Sequence, residues 1–303
     1  MNLVALDWGT SSLRGALLAA DGRVLEERSF ARGILTVEKG HFRAVFESCF
    51  GDWMKDDKTE DKSGTLCLIA GMAGSQQGWI EAPYCPCPAG FADIAAQLIW
   101  VQSHTTSRIA IVPGLSIDKD GTPDVMRGEE TQVFGALQLL GLTDARIVLP
   151  GTHSKWVAVT NHRVTDFSTW MTGELYALLR QHSILARTLS TDEAHNDTAF
   201  EQGVAHALRG QSLLHTAFSV RTLSLFKCMA SDALPSYLSG LVIGEEIKCQ
   251  QLKSGDSVVL VGAEVLTKKY TQALHQLGVQ TQCVGNEATW QGLRAIANRI
   301  HTA

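Results

Sequence analysis

The stretch Asn2-Leu3-Val4-Ala5-Leu6-Asp7-Trp8-Gly9-Thr10-Ser11-Ser12-Leu13-Arg14 decides the fold. Its first part, Asn2–Leu6, has no polar break and reads as a buried strand. Leu13–Ala19 reads as a second strand and Arg23–Ser29 as a third, joined by Ala20-Asp21-Gly22, since Asp-Gly between apolar runs signals a hairpin. The first turn, Asp7–Ser12, is longer and carries three consecutive hydroxyl residues, which a simple hairpin does not require.

The same arrangement returns in the second half. Arg146–Leu149, Lys155–Thr160 and Arg163–Phe167 read as strands, with Pro150-Gly151-Thr152-His153-Ser154 and Asn161-His162 as the turns. Laid over one another, the two first turns share Gly9 with Gly151, Thr10 with Thr152 and Ser12 with Ser154. A repeat at this spacing suggests two similar domains, although short Gly-Ser turns also coincide by chance.

Between and after these strand triples the pattern mixes strand and helix. Leu66–Ala70 and Ile109–Val112 read as short buried strands, and Glu130–Leu140 as a helix stopped by Gly141. Glu174–Arg180 and Tyr237–Lys248 read as helices. Val258–Val261, the amphipathic Ala263–Leu277 and Val279–Val284 form a βαβ-type unit, followed by a helix over Ala288–Ile300. The expected domains are residues 1–143 and 144–303, with the boundary near Leu142–Asp144 and the final helix free to pack back on the first. Asp52–Gly64, with its charged run Lys55–Lys62, reads as a solvated linker.

Composition narrows the function. At 303 residues and 45% hydrophobic, the chain has ample material for a core. The net charge of −5 argues against a nucleic-acid binder that relies on a basic surface, though not against a local anion pocket. No apolar run approaches the roughly 18–20 residues of a membrane span, and the acidic Asp7 interrupts any leader-like start. Seven scattered cysteines suit a reducing, cytoplasmic setting. Cys85-Pro86-Cys87 lacks the second pair a zinc site needs.

Gly-rich turns let backbone amides and small side chains approach an anion closely. Gly9, Thr10, Ser11 and Arg14 in the first turn, and Gly151, Thr152, His153, Ser154 and Lys155 in the second, are therefore candidate phosphate-binding residues. Asp7 would repel phosphate but suits Mg²⁺ held through water. The P-loop and dinucleotide-fold glycine motifs are both missing from the sequence.

These residues make the chain similar to the actin, sugar-kinase and acetate-kinase superfamily, and more narrowly to the 2-dehydro-3-deoxygalactonokinases. The resemblance runs nearly end to end, through Asp7–Arg14, Gly71–Ser75 with Gly78-Trp79, Glu81–Tyr84, Pro123–Gln132, Pro150–Trp156, Met171–Leu175 and Val261–Glu264. It implies an α/β fold of two ribonuclease-H-like, actin-like ATPase domains with ATP in a cleft between them. The implied reaction is transfer of the ATP γ-phosphate, with Mg²⁺, to the terminal 6-hydroxyl of 2-dehydro-3-deoxy-D-galactonate, in galactonate breakdown.

Phosphoryl transfer is mostly positioning and charge stabilisation, with a base near the acceptor hydroxyl. Asp124, Glu129 and Glu130 are the base candidates, although the two glutamates would also suit the positive end of the helix they open. Arg127 could pair the acceptor's carboxylate. Met72, Gly74, Ser75, Trp79, Trp170, Thr172 and Glu174 are candidates for the acceptor pocket, against core packing for each Trp and helix capping for Glu174. Gly262-Ala263 suit an adenosine slot. Gly240 and Gly244 fit either that slot or a helix crossing. A homodimer is left open. The competing functions are a phosphohydrolase of the same superfamily and an actin-like nucleotide switch.

Overall fold

The computed structural model describes residues 2–54, 65–102, 108–191 and 194–300, so the charged run Lys55–Lys62 lies outside the described residues. The first series of elements begins with strands β1 (Leu3–Trp8), β2 (Leu13–Leu18) and β3 (Val24–Phe30). Helix α1 (Phe42–Phe50), strand β4 (Leu66–Gly71), the short β5 (Cys85–Pro86) and helix α2 (Phe91–Ala96) come next. Strands β6 (Ile99–Trp100) and β7 (Arg108–Ile111), the hairpin β8 (Leu115–Lys119) and β9 (Thr122–Met126), and helix α3 (Glu129–Leu140) complete it.

The second series repeats the opening with β10 (Ala145–Leu149), β11 (Ser154–Thr160) and β12 (Arg163–Trp170). Five helices follow: α4 (Thr172–His182), α5 (Asp197–Arg209), α6 (Leu213–Thr216), α7 (Ser219–Leu225) and α8 (Leu234–Lys248). Strand β13 (Ser257–Val261), helix α9 (Glu264–His275), strand β14 (Gln280–Val284) and helix α10 (Glu287–Ile300) end the chain.

The two main sheets have the same order of strands. One runs β3-β2-β1-β4-β7-β6 and the other β12-β11-β10-β13-β14. In the first, β2 is antiparallel to β1, whereas β4 joins β1 in parallel, with Asp7 opposite Ala70 and Trp8 opposite Gly71. In the second, β13 joins β10 in parallel. An antiparallel triple extended by parallel strands is the ribonuclease-H-like arrangement that the sequence resemblance implies.

By contacts the chain divides into two compact units. Unit 1 holds residues 1–145, 157–168 and 284–303, and unit 2 holds 146–156 and 169–283. Where the sequence reading makes one cut near Leu142–Asp144, the contacts return two later segments to unit 1. Salt bridges account for the first of these. Arg163 pairs with Asp93 at 2.9 Å, Lys119 with Asp166 at 2.6 Å, and Val164 bridges Ala89. The second is α10, whose Trp290 Nε1 donates to Glu27 Oε1 at 2.6 Å.

Unit 1 has a core on one face of its sheet, where Val4, Leu6, Trp8, Cys67 and Ile69 are buried together with Phe46 and Phe50 of α1. Asp52 is not a loose linker residue: Arg28 holds its carboxylate with two bonds of 2.7 Å and lies 4.4 Å over Trp53. That guanidinium keeps the Asp52 carboxyl below its ordinary range. Unit 2 has two clusters, one around Val148, Trp156, Phe200 and Tyr270, the other around Leu234, Tyr237 and Leu241.

Helices α3 and α10 cross with almost no gap. A Cβ on Gly135 would collide with the Ala288 carbonyl, and one on Gly292 with the Thr131 carbonyl. Both obstacles are backbone and cannot swing aside. Gly135→Ala should therefore lower stability by about 2 kcal/mol or more despite the better helix propensity of alanine. Urea unfolding checks this, and a midpoint equal to wild type would disprove the close crossing.

Candidate active site

The first turn is braced from behind. Gly9 N donates to Ser12 O at 2.9 Å, while the carbonyls of Gly9 and Thr10 accept from Ile34 N at 3.0 Å and Leu35 N at 3.3 Å. Gly33 lies so close to the Thr10–Ser11 backbone that a Cβ there would overlap it. With the carbonyls turned inward, Thr10 and Ser11 stand exposed. Asp7 and Arg14 face each other across the β1–β2 ladder and form an ion pair of 2.5 Å, with 18% and 29% of their side chains exposed.

The second turn is braced in the same way. Thr152 O accepts from Glu174 N at 3.0 Å, and Gly173 lies hard against Gly151 O and Thr152 Cα. Thr152 and His153 are exposed, with His153 Nε2 lying 2.5 Å from Glu174 Oε2. The two turns thus share a backing glycine and a bond to the threonine carbonyl, features that the sequence overlay did not include.

Around the end of β1, unit 1 gathers Gly71, Gly74 and the stretch Arg127–Glu130. Gly71 (φ +87°) ends β4, and a Cβ there would lie 2.8 Å from Trp8 O and 3.1 Å from Asp7 Oδ1. Gly128 (φ +104°) packs onto Gly71 Cα. Glu129 Oε2 accepts from Arg127 N at 2.9 Å and Glu130 Oε2 from Gly128 N at 2.6 Å, so both carboxylates reach back to amides at the start of α3. Glu130 is fully buried and its Oε1 has no partner among the described residues. Burial, reinforced by the Glu129 charge, pushes its pKa up to about 8. Arg127 is wedged with its guanidinium 4.3 Å over the Tyr84 ring, Nη2 on Ala82 O at 2.7 Å, and Nη1 against Gly74. Its Nε and Nη1 are buried without hydrogen-bond partners among the described residues.

The remaining expected residues have the following partners within the fold. Asp124 sits on β9 opposite Ile117, and its Oδ1 accepts from Val125 N at 2.8 Å. Ser75 Oγ closes its own turn on Met72 O at 2.8 Å. Trp79 belongs to the unit 1 core, edge-on to Trp8 with ring centroids 6.1 Å apart, and Trp170 packs on the unit 2 core, so core packing is realised for both. Ser154 is buried, and its hydroxyl and that of Thr172 are given to Glu246 instead of facing an anion. Lys155 is also buried and donates to Thr169 Oγ1 at 2.7 Å. Gly240 and Gly244 realise the helix crossing, because a Cβ on either would meet the backbone of α5 or Ala207. Gly262 (φ +142°) ends β13 beside Pro150 O with open space around it, and Ala263 is exposed.

Unit 2 also holds a cavity of about 440 Å³ that the sequence did not reveal. Tyr176 and Arg180 of α4 and Lys268 and Lys269 of α9 line it, with His195 and Ser236. Helix α9, which carries Lys268 and Lys269 of that lining, begins directly after Gly262-Ala263, the expected adenosine turn.

Residues 7–296 match the family described as 2-keto-3-deoxy-galactonokinase. The chain belongs to that family. It is 37% identical over 302 residues to a protein of Rhizobium meliloti (strain 1021) assigned as a 2-dehydro-3-deoxygalactonokinase, covering 98% of this chain and 96% of that one. It is 35% identical over 300 residues to the 2-dehydro-3-deoxygalactonokinase of Escherichia coli (strain K12), covering 98% of each. A crystal structure from Sinorhizobium meliloti assigned to the same activity superposes with a TM-score of 0.90 at 36% identity, over 98% and 99% of the two chains. The fold is that of the actin-like ATPases and sugar kinases. No helix among the described residues is long and apolar enough to cross a membrane.

For this member of the 2-keto-3-deoxy-galactonokinase family, Glu130 is the acid that geometry singles out. Its folded pKa lies above that of an unfolded glutamate, so the folded state holds the extra proton between pH about 4.5 and about 8. Stability should fall as pH rises through that window, by at most about 1.4 kcal/mol per unit. Glu130→Gln should remove the loss, gaining on wild type at pH 8 relative to pH 5. Denaturation at the two pH values checks it, and parallel curves for both proteins would refute the buried-acid reading.

Proposed function

We propose that this chain transfers the γ-phosphate of ATP to the 6-hydroxyl of 2-dehydro-3-deoxy-D-galactonate, releasing ADP. The match of residues 7–296 to the family carries this reading, since that span includes both braced turns and Glu130. The named activity of the Escherichia coli relative supports the acceptor. The reaction belongs in the cytoplasm, where ATP is supplied. The oligomeric state, homodimer included, does not enter the chemistry.

In this reading unit 1 takes the acceptor and unit 2 the nucleotide. In unit 2, exposed Thr152 and His153 offer the phosphates backbone and side-chain donors, and in unit 1 exposed Thr10 and Ser11 offer an anion donors of the same kind. The adenosine end lies along Gly262-Ala263 and the cavity beside α9, where Tyr176 offers a ring and Lys268 and Lys269 offer charge. Arg127 faces the acceptor carboxylate from its stack on Tyr84, using the donors that have no protein partner.

Among the described residues no group of three or more His, Cys, Asp or Glu could hold a metal. A single partly exposed carboxylate, Asp7, fits Mg²⁺ that keeps its waters and takes its other ligands from phosphate. Bound there, the ion would neutralise phosphate charge. Glu130 is the base in this reading: a pKa of about 8 leaves part of it ionised near working pH, and in that form the oxygen with no partner among the described residues can accept the hydroxyl proton.

A coupled ADP-release assay with Mg·ATP tests the proposal, run first without acceptor and then with sugars and sugar acids. Turnover should appear with 2-dehydro-3-deoxy-D-galactonate. Equal ADP release without acceptor would replace the kinase by a hydrolase, and turnover with only the gluconate epimer would overturn the acceptor. Glu130→Gln should lower kcat by about a hundredfold or more with nucleotide affinity unchanged. Full activity in that variant would move the base elsewhere.

A further inference from the structure

Glu246 plays no part in the chemistry above, yet it accepts four side-chain hydrogen bonds inside unit 2. It lies on α8, a helix buried almost all round, and is 2% exposed. Its Oε1 accepts from Trp156 Nε1 at 2.6 Å. Its Oε2 accepts from Ser154 Oγ at 2.8 Å, from Tyr270 OH at 2.7 Å and from Thr172 Oγ1. Burial raises the pKa of this carboxyl, and the four donors oppose the rise.

The four donors come from places that matter to a nucleotide. Ser154 and Trp156 flank Lys155 on β11, and strand alternation sends both to one face. They fix the strand that leaves the turn Gly151-Thr152-His153. Thr172 opens α4, and the next two residues, Gly173 and Glu174, press on that turn and bond to it. Tyr270 belongs to α9, whose Lys268, Lys269 and Gln272 line the cavity. One carboxylate therefore ties together the segment behind the turn, the segment in front of it and the helix beside the cavity. Packing alone would not need this, since an aliphatic side chain fills the same space without desolvating a charge.

We propose that Glu246 is a positioning residue for the nucleotide, holding the phosphate-facing turn and the cavity-lining helix in register through its hydrogen bonds to Ser154, Trp156, Thr172 and Tyr270. The proposal rests on the kinase reading, so binding of a non-hydrolysable ATP analogue to the wild-type chain is measured first, by calorimetry. No binding there would overturn both the kinase reading and this proposal.

With binding established, Glu246→Gln should weaken the analogue and raise KM for ATP by about tenfold, the effect of one poorly matched buried donor set. KM for the acceptor should stay within about twofold, a split that general loss of folded protein would not produce. The indole N–H resonance of Trp156, assigned with Trp156→Phe, should respond to the analogue in wild type and not in Glu246→Gln. Tyr270→Phe should raise KM for ATP by a smaller factor and add nothing when combined with Glu246→Gln, because both act through the same carboxylate. Folded Glu246→Gln with wild-type affinity for the analogue would overturn the proposal. Where Glu246→Gln does not fold, Tyr270→Phe and Thr172→Val decide, and unchanged affinity in both would overturn it equally.

Discussion

Strand β4 is buried along its whole length, and β1 beside it is buried at every position but Asp7. Two parallel neighbours of this kind leave no room for polar side chains along their faces, because a buried polar group without a partner is costly. Chemistry can begin only where the strands end. Asp7, Gly9 and Gly71 stand at that edge in unit 1, as Gly151 and Gly262 do at the ends of β10 and β13 in unit 2. Open α/β sheets in general bind ligands beyond the carboxyl ends of their strands, and the constraint explains why.

At those edges the chain comes unusually close to itself. Gly33 backs one turn, Gly173 the other, and Gly128 rests on Gly71. In each case a side chain would enter space held by backbone. The glycines are therefore spread over distant parts of the sequence but serve one requirement, a turn whose carbonyls are tied inward and whose hydroxyls face out. The parallel between the two turns in their bracing is stronger than the parallel between their residues.

Two buried carboxylates show how the same group is put to different uses. Glu246 is given four donors and is fixed in place by them. Glu130 is given only backbone amides, and its second oxygen has no partner among the described residues, so its proton is held into the mildly alkaline range. The first arrangement makes a rigid joint. The second leaves an unspent acceptor beside the strand ends where the acceptor sugar acid is proposed to lie, and a reactive group needs that freedom.

Much of this was legible in sequence. The strand triples, the βαβ unit near the end, the helix stopped by Gly141 and the hydroxyl-rich turns follow from local periodicity and turn chemistry, which act over a few residues. The stretch Pro123–Gln132 carried the family, and the turns Asp7–Arg14 and Pro150–Trp156 carried the superfamily. Helices α1 and α5 and the β8–β9 hairpin were legible but not read: Phe42, Phe46, Cys49 and Phe50 recur at helical spacing, as do Phe200, Val204 and Ala207, and Asp120-Gly121 is an Asp-Gly hairpin turn. Ser154, Thr172, Gly240 and Gly244 were legible as small or hydroxyl residues near expected ligands, but a hydroxyl serves an anion and a buried acid equally well. Glu246 had a weak signal, one of two adjacent acids near the end of a mostly apolar helix, and an acid turned into such a core must be paired. The sequence by itself determined the two related halves, the family and the kinds of residue at the strand ends. Only the tertiary structure decided which of those residues stand exposed and which bond within the frame, because that choice depends on partners brought together from 18 to 92 positions away.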